Sequence, residues 1–243
     1  MKKTLIGLVM AASLAFVSGC SSWDNPTSSQ TQKLADSLSA TQDPHQMQGV
    51  SRVDTLSEVE PVISDPKPAL PVELTDADGY EVSVEDTSRI LALDLYGTYT
   101  KILRGLGMTE NIVGRTVSST EKSLEHLPTV TEGGHTLNAE AILNLKPSLV
   151  IVDHSVGPEE AIDQIRNAGV TVVVMKPDRK LDSIGDDIRH LSSVVGLPNA
   201  GEELAERTEK ELEEALAAIK NVIPDTPLRM SFLSLIHISD GAR

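Results

Sequence analysis

The clearest chemistry in this chain lies in Gly133-Gly134-His135. A neutral imidazole is a natural metal donor, and the two glycines before it leave the backbone free to present the ring. Thr136-Leu137-Asn138-Ala139-Glu140 follows and reads as a helix start, which sets the imidazole beside a helix N-terminus. The plainer alternative is a surface-loop histidine hydrogen-bonded to a carboxylate. His154 comes directly after a strand ending at Asp153, at the carboxyl end where open α/β sheets bind ligands, and an ordinary exposed histidine is the competing account. Tyr96 and Tyr99 follow the first strand and face either a cleft or the core. Arg115 sits beside a hydroxyl-rich loop of Thr116, Ser118, Ser119 and Thr120 suited to an anionic group, although such loops are common. Glu140 occupies the first turn of its helix, where the dipole favours an acid. His45, His126 and His190 lie in polar surroundings and read as solvated.

These residues need a scaffold, and from Arg89 onward short apolar runs alternate with helical periodicity, the pattern of an α/β sheet. Ile90-Leu93 is the first strand and Thr98-Leu106 the following helix, with Asn111-Gly114 a brief second strand. A helix over Asn138-Lys146 stops before Pro147. Leu149-Val152 is continuous in aliphatics, so it reads as a strand buried on both faces. Gly157-Pro158-Glu159-Glu160 opens a helix that presents Ala161, Ile162, Ile165 and Ala168 on one side and stops at Gly169. Val170-Met175 returns as a strand, completing a parallel βαβ unit. Asp182-Val195 is a further helix. Glu202-Asn221 is a longer one, about 30 Å at about 1.5 Å per residue, with Leu204, Thr208, Leu212, Leu216 and Ile219 on one stripe. Pro224 and Pro227 stop it, and Leu228-Phe232 starts a new strand.

The first twenty residues have a different logic. Met1-Lys2-Lys3, an apolar run from Leu5 to Val17 and small residues before Cys20 form a lipoprotein signal over residues 1–19, with Cys20 as the acylation site. The apolar run is too short for a transmembrane helix, which needs about 20 residues. Cys20 is the only cysteine, so no disulfide forms within the chain. Between Ser21 and Glu85 there are 12 acidic residues against 3 Lys or Arg. Residues 20–71 therefore read as a disordered acidic tether, with a reach of about 40 Å from the anchor. The formal charge of -15 excludes nucleic acid as a partner, since phosphate binding calls for basic clusters.

The lipobox, acidic tether, parallel α/β lobe and long helix together resemble the substrate-binding proteins of ABC importers that carry vitamin B12, ferric siderophores or haem. Leu137 to Pro147 and Ser148 to Val152 are the stretches most similar to that family. Gly133 to Asn138 resembles its haem-transporting branch. The resemblance implies two α/β lobes joined by a rigid helix, with the ligand between them. It implies an N-terminal lobe over residues 72–199, an inter-lobe helix over 200–223 and the first strand of a second lobe over 224–232. It also implies haem as transported ligand rather than catalytic cofactor, with His135 as axial ligand and a second-lobe tyrosine on the other face. Arg115 and Ser118 would then suit a propionate, with Gly133, Gly134, Tyr96 and His154 at the cleft. Glu140 would dock to arginines of an ABC permease served by its ATPase, and a haem-donor protein is a further partner. Ser234 stands where the tyrosine is expected. Residues 233–243 read as an artefactual tail, since CTGTCTCTTATACACATC, a sequencing-adapter string, encodes Leu233 to Ile238. The expectation is a truncated chain lacking its second lobe.

Two other readings stay open. A siderophore or cobalamin receptor would share the architecture without His135 touching metal. An extracytoplasmic hydrolase would use His135 with Asp153 or His154 as acid and base, but no G-x-S-x-G, H-E-x-x-H or phosphate-loop motif accompanies them.

Overall fold

The computed structural model describes residues 58–220 and residue 226. The signal sequence, Cys20, most of the tether, nearly all of the expected strand over 224–232 and the tail over 233–243 lie outside the described residues.

Four strands form one parallel sheet: β3 (Ile90–Leu93), β4 (Ile112–Gly114), β7 (Leu149–Asp153) and β8 (Thr171–Met175), in the order β4-β3-β7-β8. Successive side chains on a strand point to opposite faces, and this rule divides the core in two. Ile90, Ala92, Leu149, Ile151, Val173 and Met175 face one side. There they meet α1 (Thr98–Gly105), α4 (Ile184–Val194) and the long α5 (Pro198–Lys220). Leu91, Leu93, Val150, Val152, Val172 and Val174 face the other. They are covered by α2 (Ala139–Asn144) and α3 (Glu159–Asn167). Helices on both faces explain why Ile90–Leu93 and Leu149–Val152 read as unbroken aliphatic runs rather than alternating ones.

The strand order contains a reversal that matters for function. From β3 the chain crosses to β4 at one edge, then returns to β7 on the other side of β3 and continues to β8. The carboxyl ends of β3 and β7 therefore flank a topological switch point, where such sheets open a crevice.

One expectation needs correcting. The disordered tether expected over residues 20–71 does not extend through residues 58–71, where Val59, Val62 and Leu70 pack against the core. Val62 N–H donates to the Gly105 carbonyl (2.8 Å) and Ala69 N–H to that of Gly196 (2.9 Å). Arg104 grips the segment through Glu58 (2.8 Å) and the Val59 carbonyl (2.8 Å). A strap held by scattered valines and backbone bonds has no hydrophobic period, so composition alone reads as unfolded.

The strap leads into a hairpin, β1 (Val72–Thr75) antiparallel to β2 (Glu81–Val84). Asp76 turns it: one carboxylate oxygen accepts from the Asp78 and Tyr80 N–H groups (3.0 and 2.9 Å), the local bonding typical of aspartate in turns. Its other oxygen takes Arg166 (3.1 Å) and the Val174 N–H (3.3 Å), which pins the hairpin to β8. Helix α5 is buried near its start, at Leu204 and Ala205, while Leu216 and Ile219 remain exposed on the stripe seen in the sequence.

Candidate functional site

His135 lies at the tip of a small hairpin rather than at a helix start. Gly133 and Gly134 both take positive φ (57° and 97°), which folds β5 (Thr131–Glu132) back on β6 (Thr136–Leu137). The glycines are thus required by the turn itself. Leu137 is buried and anchors the hairpin, leaving His135 exposed. Asn138 then caps α2, its side chain accepting from the Ala141 N–H (2.9 Å) and donating to Glu132 (2.7 Å). Glu140 is exposed in the first turn of α2.

The hairpin abuts the loop after β7. Thr136 bridges to Gly157, and the Leu137 N–H donates to the Gly157 carbonyl (2.6 Å). His135 and His154 line the same open cavity of about 450 Å³, together with Ser155 to Glu159. His154 Nε2 pairs with Asp78 at 2.8 Å, so the β1–β2 turn steadies that ring. A second cavity of about 450 Å³ shares His154 and Ser155 with the first. A third, about 410 Å³, shares Asp153, Pro177 and Arg179 with the second. The three adjoin as one track along the carboxyl edge of the sheet.

Its far end lies over the switch point and is built on two buried acids, Asp94 and Asp153. Asp94 accepts from the N–H groups of Tyr96 (3.1 Å), Thr98 (2.9 Å) and Tyr99 (3.3 Å). It thereby satisfies the orphan donors at the start of α1, whose own cap, Gly97, has no side chain to do so. Burial pushes the Asp94 carboxyl above its ordinary range against these bonds, and the neighbouring Asp153 charge adds to the rise. Asp153 accepts from Tyr99 Oη (2.7 Å) and the Ser155 N–H (2.7 Å), and from the Ser155 hydroxyl and Arg179. Burial and the adjacent carboxylates hold the Tyr99 phenol protonated well above its ordinary value. Burial opposes the charge on Arg179, but Asp153 outweighs it and drives the guanidinium pKa up. Arg179 also lies over the Tyr96 ring, 4.5 Å from its centroid.

The two tyrosines considered together in the sequence therefore part company: Tyr99 is 3% exposed and braces Asp153, whereas Tyr96 is 58% exposed on the cavity wall. Arg115 and Ser118 line none of these three cavities. Arg115 Nη1 donates to the carbonyl of Ser119 (3.2 Å) within its own loop. Ser118 packs its carbonyl against Gly97. Arg179 was missed because its partners, Asp153 and Tyr96, are remote in sequence. The acid expected in a hydrolase is also committed, since Asp153 already accepts from Tyr99, Ser155 and Arg179.

The sequence pattern of the family described as periplasmic binding protein matches residues 94–234. The chain belongs to the periplasmic binding protein family. These proteins are extracytoplasmic receptors rather than enzymes, and the described residues form one α/β lobe of that fold with its long helix. Among solved structures, this periplasmic binding protein is similar to heme binding protein HmuT, with 60% identity and a TM-score of 0.76 over 77% of this chain and 60% of that one. An arginine-to-alanine variant of HmuT gives 57% identity and a TM-score of 0.79 over 82% and 62% of the two chains. HmuT has also been solved with a histidine or a tyrosine replaced by alanine. The ABC transporter substrate-binding lipoprotein YvrC of Bacillus subtilis is 24% identical over 64% of this chain and 49% of its own. A cobalamin-binding protein of Halobacterium salinarum is 25% identical over 71% of this chain and 46% of its own. The chain thus spans about half the length of these curated relatives.

Proposed function

We propose that this chain belongs to a lipid-anchored extracytoplasmic receptor that captures haem and delivers it to an ABC permease and its ATPase for iron acquisition. The supporting observation is His135: an exposed imidazole on a glycine-built hairpin tip, beside a cavity track at the sheet's carboxyl edge, in a chain 60% identical to heme binding protein HmuT. Neutral imidazole is a proper axial ligand for haem iron, and phenolate is another. His135 binds the iron from this lobe, and a tyrosine of a second lobe binds from the opposite face. The cavity walls enclose the macrocycle between them. Glu140, exposed at the start of α2, meets an arginine of the permease, and Cys20 carries the lipid.

The 25% identity to a cobalamin-binding protein favours a second reading, a corrinoid receptor of the same architecture. Competition separates the two. Haem bound to the chain resists displacement by excess cobalamin if the first reading holds. Cobalamin that binds more tightly than haem replaces it with the second.

A further inference from the structure

Aromatic side chains are scarce here: the whole chain has 3 Tyr, 2 Phe and 1 Trp. Two of the tyrosines carry an arginine over the ring. Arg166 lies 3.9 Å from the Tyr80 centroid, but that pair sits at the β1–β2 hairpin and lines none of the three cavities. The Tyr96–Arg179 pair differs because both members wall the cavity above the switch point. Tyr96 is 58% exposed, so its position is not explained by burial in the core.

The pair is also braced from below. Arg179 Nη2 is held by Asp153, which is 2% exposed, and Asp153 is held in turn by the Tyr99 hydroxyl at 2.7 Å. Asp94 gathers the N–H groups of Tyr96, Thr98 and Tyr99, fixing the backbone that carries both tyrosines. An exposed ring backed by a guanidinium that a buried carboxylate holds is a preorganised flat surface. It loses little freedom when another flat group lies on it.

We infer that Tyr96 is a stacking platform for the tetrapyrrole ring, acting without regard to the iron, and that Arg179 and Asp153 are positioning residues that hold its ring in place. The inference rests on the haem reading above and adds to it a contact that recognises the macrocycle. His135 recognises the metal, while Tyr96 recognises the flat aromatic surface.

The test uses iron-free protoporphyrin IX, followed by its fluorescence on titration with the full chain. Wild type binds it although no metal is present to coordinate. Tyr96→Ala weakens binding about tenfold, and Tyr96→Phe stays within about twofold of wild type because the ring is kept. Arg179→Lys keeps the charge beside Asp153 but loses the flat guanidinium over the ring. It weakens binding in the wild-type background and has no further effect in Tyr96→Ala. Failure of wild type to bind the iron-free ring, or wild-type binding by Tyr96→Ala, overturns the platform. A further loss from Arg179→Lys in the Tyr96→Ala background overturns the positioning role, because the guanidinium would then act on the ligand itself. A wild-type chain whose haem spectrum never changes sinks the haem reading instead, so the two failures are distinguishable.

Discussion

The backbone N–H of Gly157 donates to the carbonyl of His135 across 2.9 Å, which ties the hairpin tip bearing the imidazole to the loop between β7 and α3. The ring is exposed, yet its main chain is stitched to the sheet's carboxyl edge on one side and closed by the Gly133-Gly134 turn on the other. Its placement is therefore a property of the backbone, and changes that leave the imidazole intact should still disturb binding.

Gly133→Val puts a β-branched residue at φ 57°, where nothing within 4 Å blocks the new Cβ but the dihedral itself is unfavourable. The expected cost is about 1–2 kcal/mol, confined to the hairpin. Haem affinity should fall, and the Leu137 amide should exchange faster with solvent while the amides of β7 do not. Unchanged exchange at Leu137 would show that the turn does not depend on glycine.

Gly97 faces a stricter constraint. It combines φ 65° with an added Cβ only 2.5 Å from the Ser118 carbonyl oxygen. Gly97→Ala must push the 115–121 loop off the start of α1, and urea unfolding should report a loss of about 2 kcal/mol or more. A variant as stable as wild type would mean that the loop yields freely.

Helices α4 and α5 are joined on their outer side by Arg189, which binds Glu202 (2.9 Å) and Glu209 (2.7 Å). Its hydrogen bonds lower the pKa of both carboxyls from 4.5. A lowered folded-state pKa gives stabilisation that is complete above the unfolded value and is lost as pH falls through the folded one. The melting-temperature gap between wild type and Arg189→Met should thus be steady from about pH 6 to 8 and close below about pH 4.5. A gap that persists unchanged at acid pH would assign the effect to packing of the arginine stem.

Arg104 is one of the side chains that hold the start of the strap over residues 58–71. Removing that side chain strips partners from Glu58, from the Val59 carbonyl and from Ser123. Arg104→Ala should cost about 1–3 kcal/mol and open the strap to limited proteolysis near residues 58–66 before the lobe is cut. Cleavage no faster than in wild type would show that the apolar packing, the Val62 and Ala69 backbone bonds and Arg207 suffice to hold it.

The parts of the fold legible in the sequence were those buried on two sides. Leu149-Val152 and Val170-Met175 announce themselves because both faces are covered and, Thr171 apart, every position is apolar. Helix α3 does so because Ala161, Ile162 and Ile165 share one side between acids and a glycine stop. The β1–β2 hairpin was missed because four-residue strands whose exposed positions include Glu73 and Glu81 blend into an acidic stretch. His135 was found through its residue type and its glycines, but its setting was misread: two residues of strand separate it from α2. Arg179 left no local signal at all, since its role depends on Asp153, 26 residues away, arriving beside it when β7 and β8 pair.

The central claim is coordination of haem iron by His135, and the most direct measurement is a titration of ferric haem into the full chain, followed in the Soret region. The account predicts a shifted, saturable band for wild type that His135→Ala loses while His154→Ala retains it. No shifted band in wild type, or the same band in His135→Ala, would contradict it.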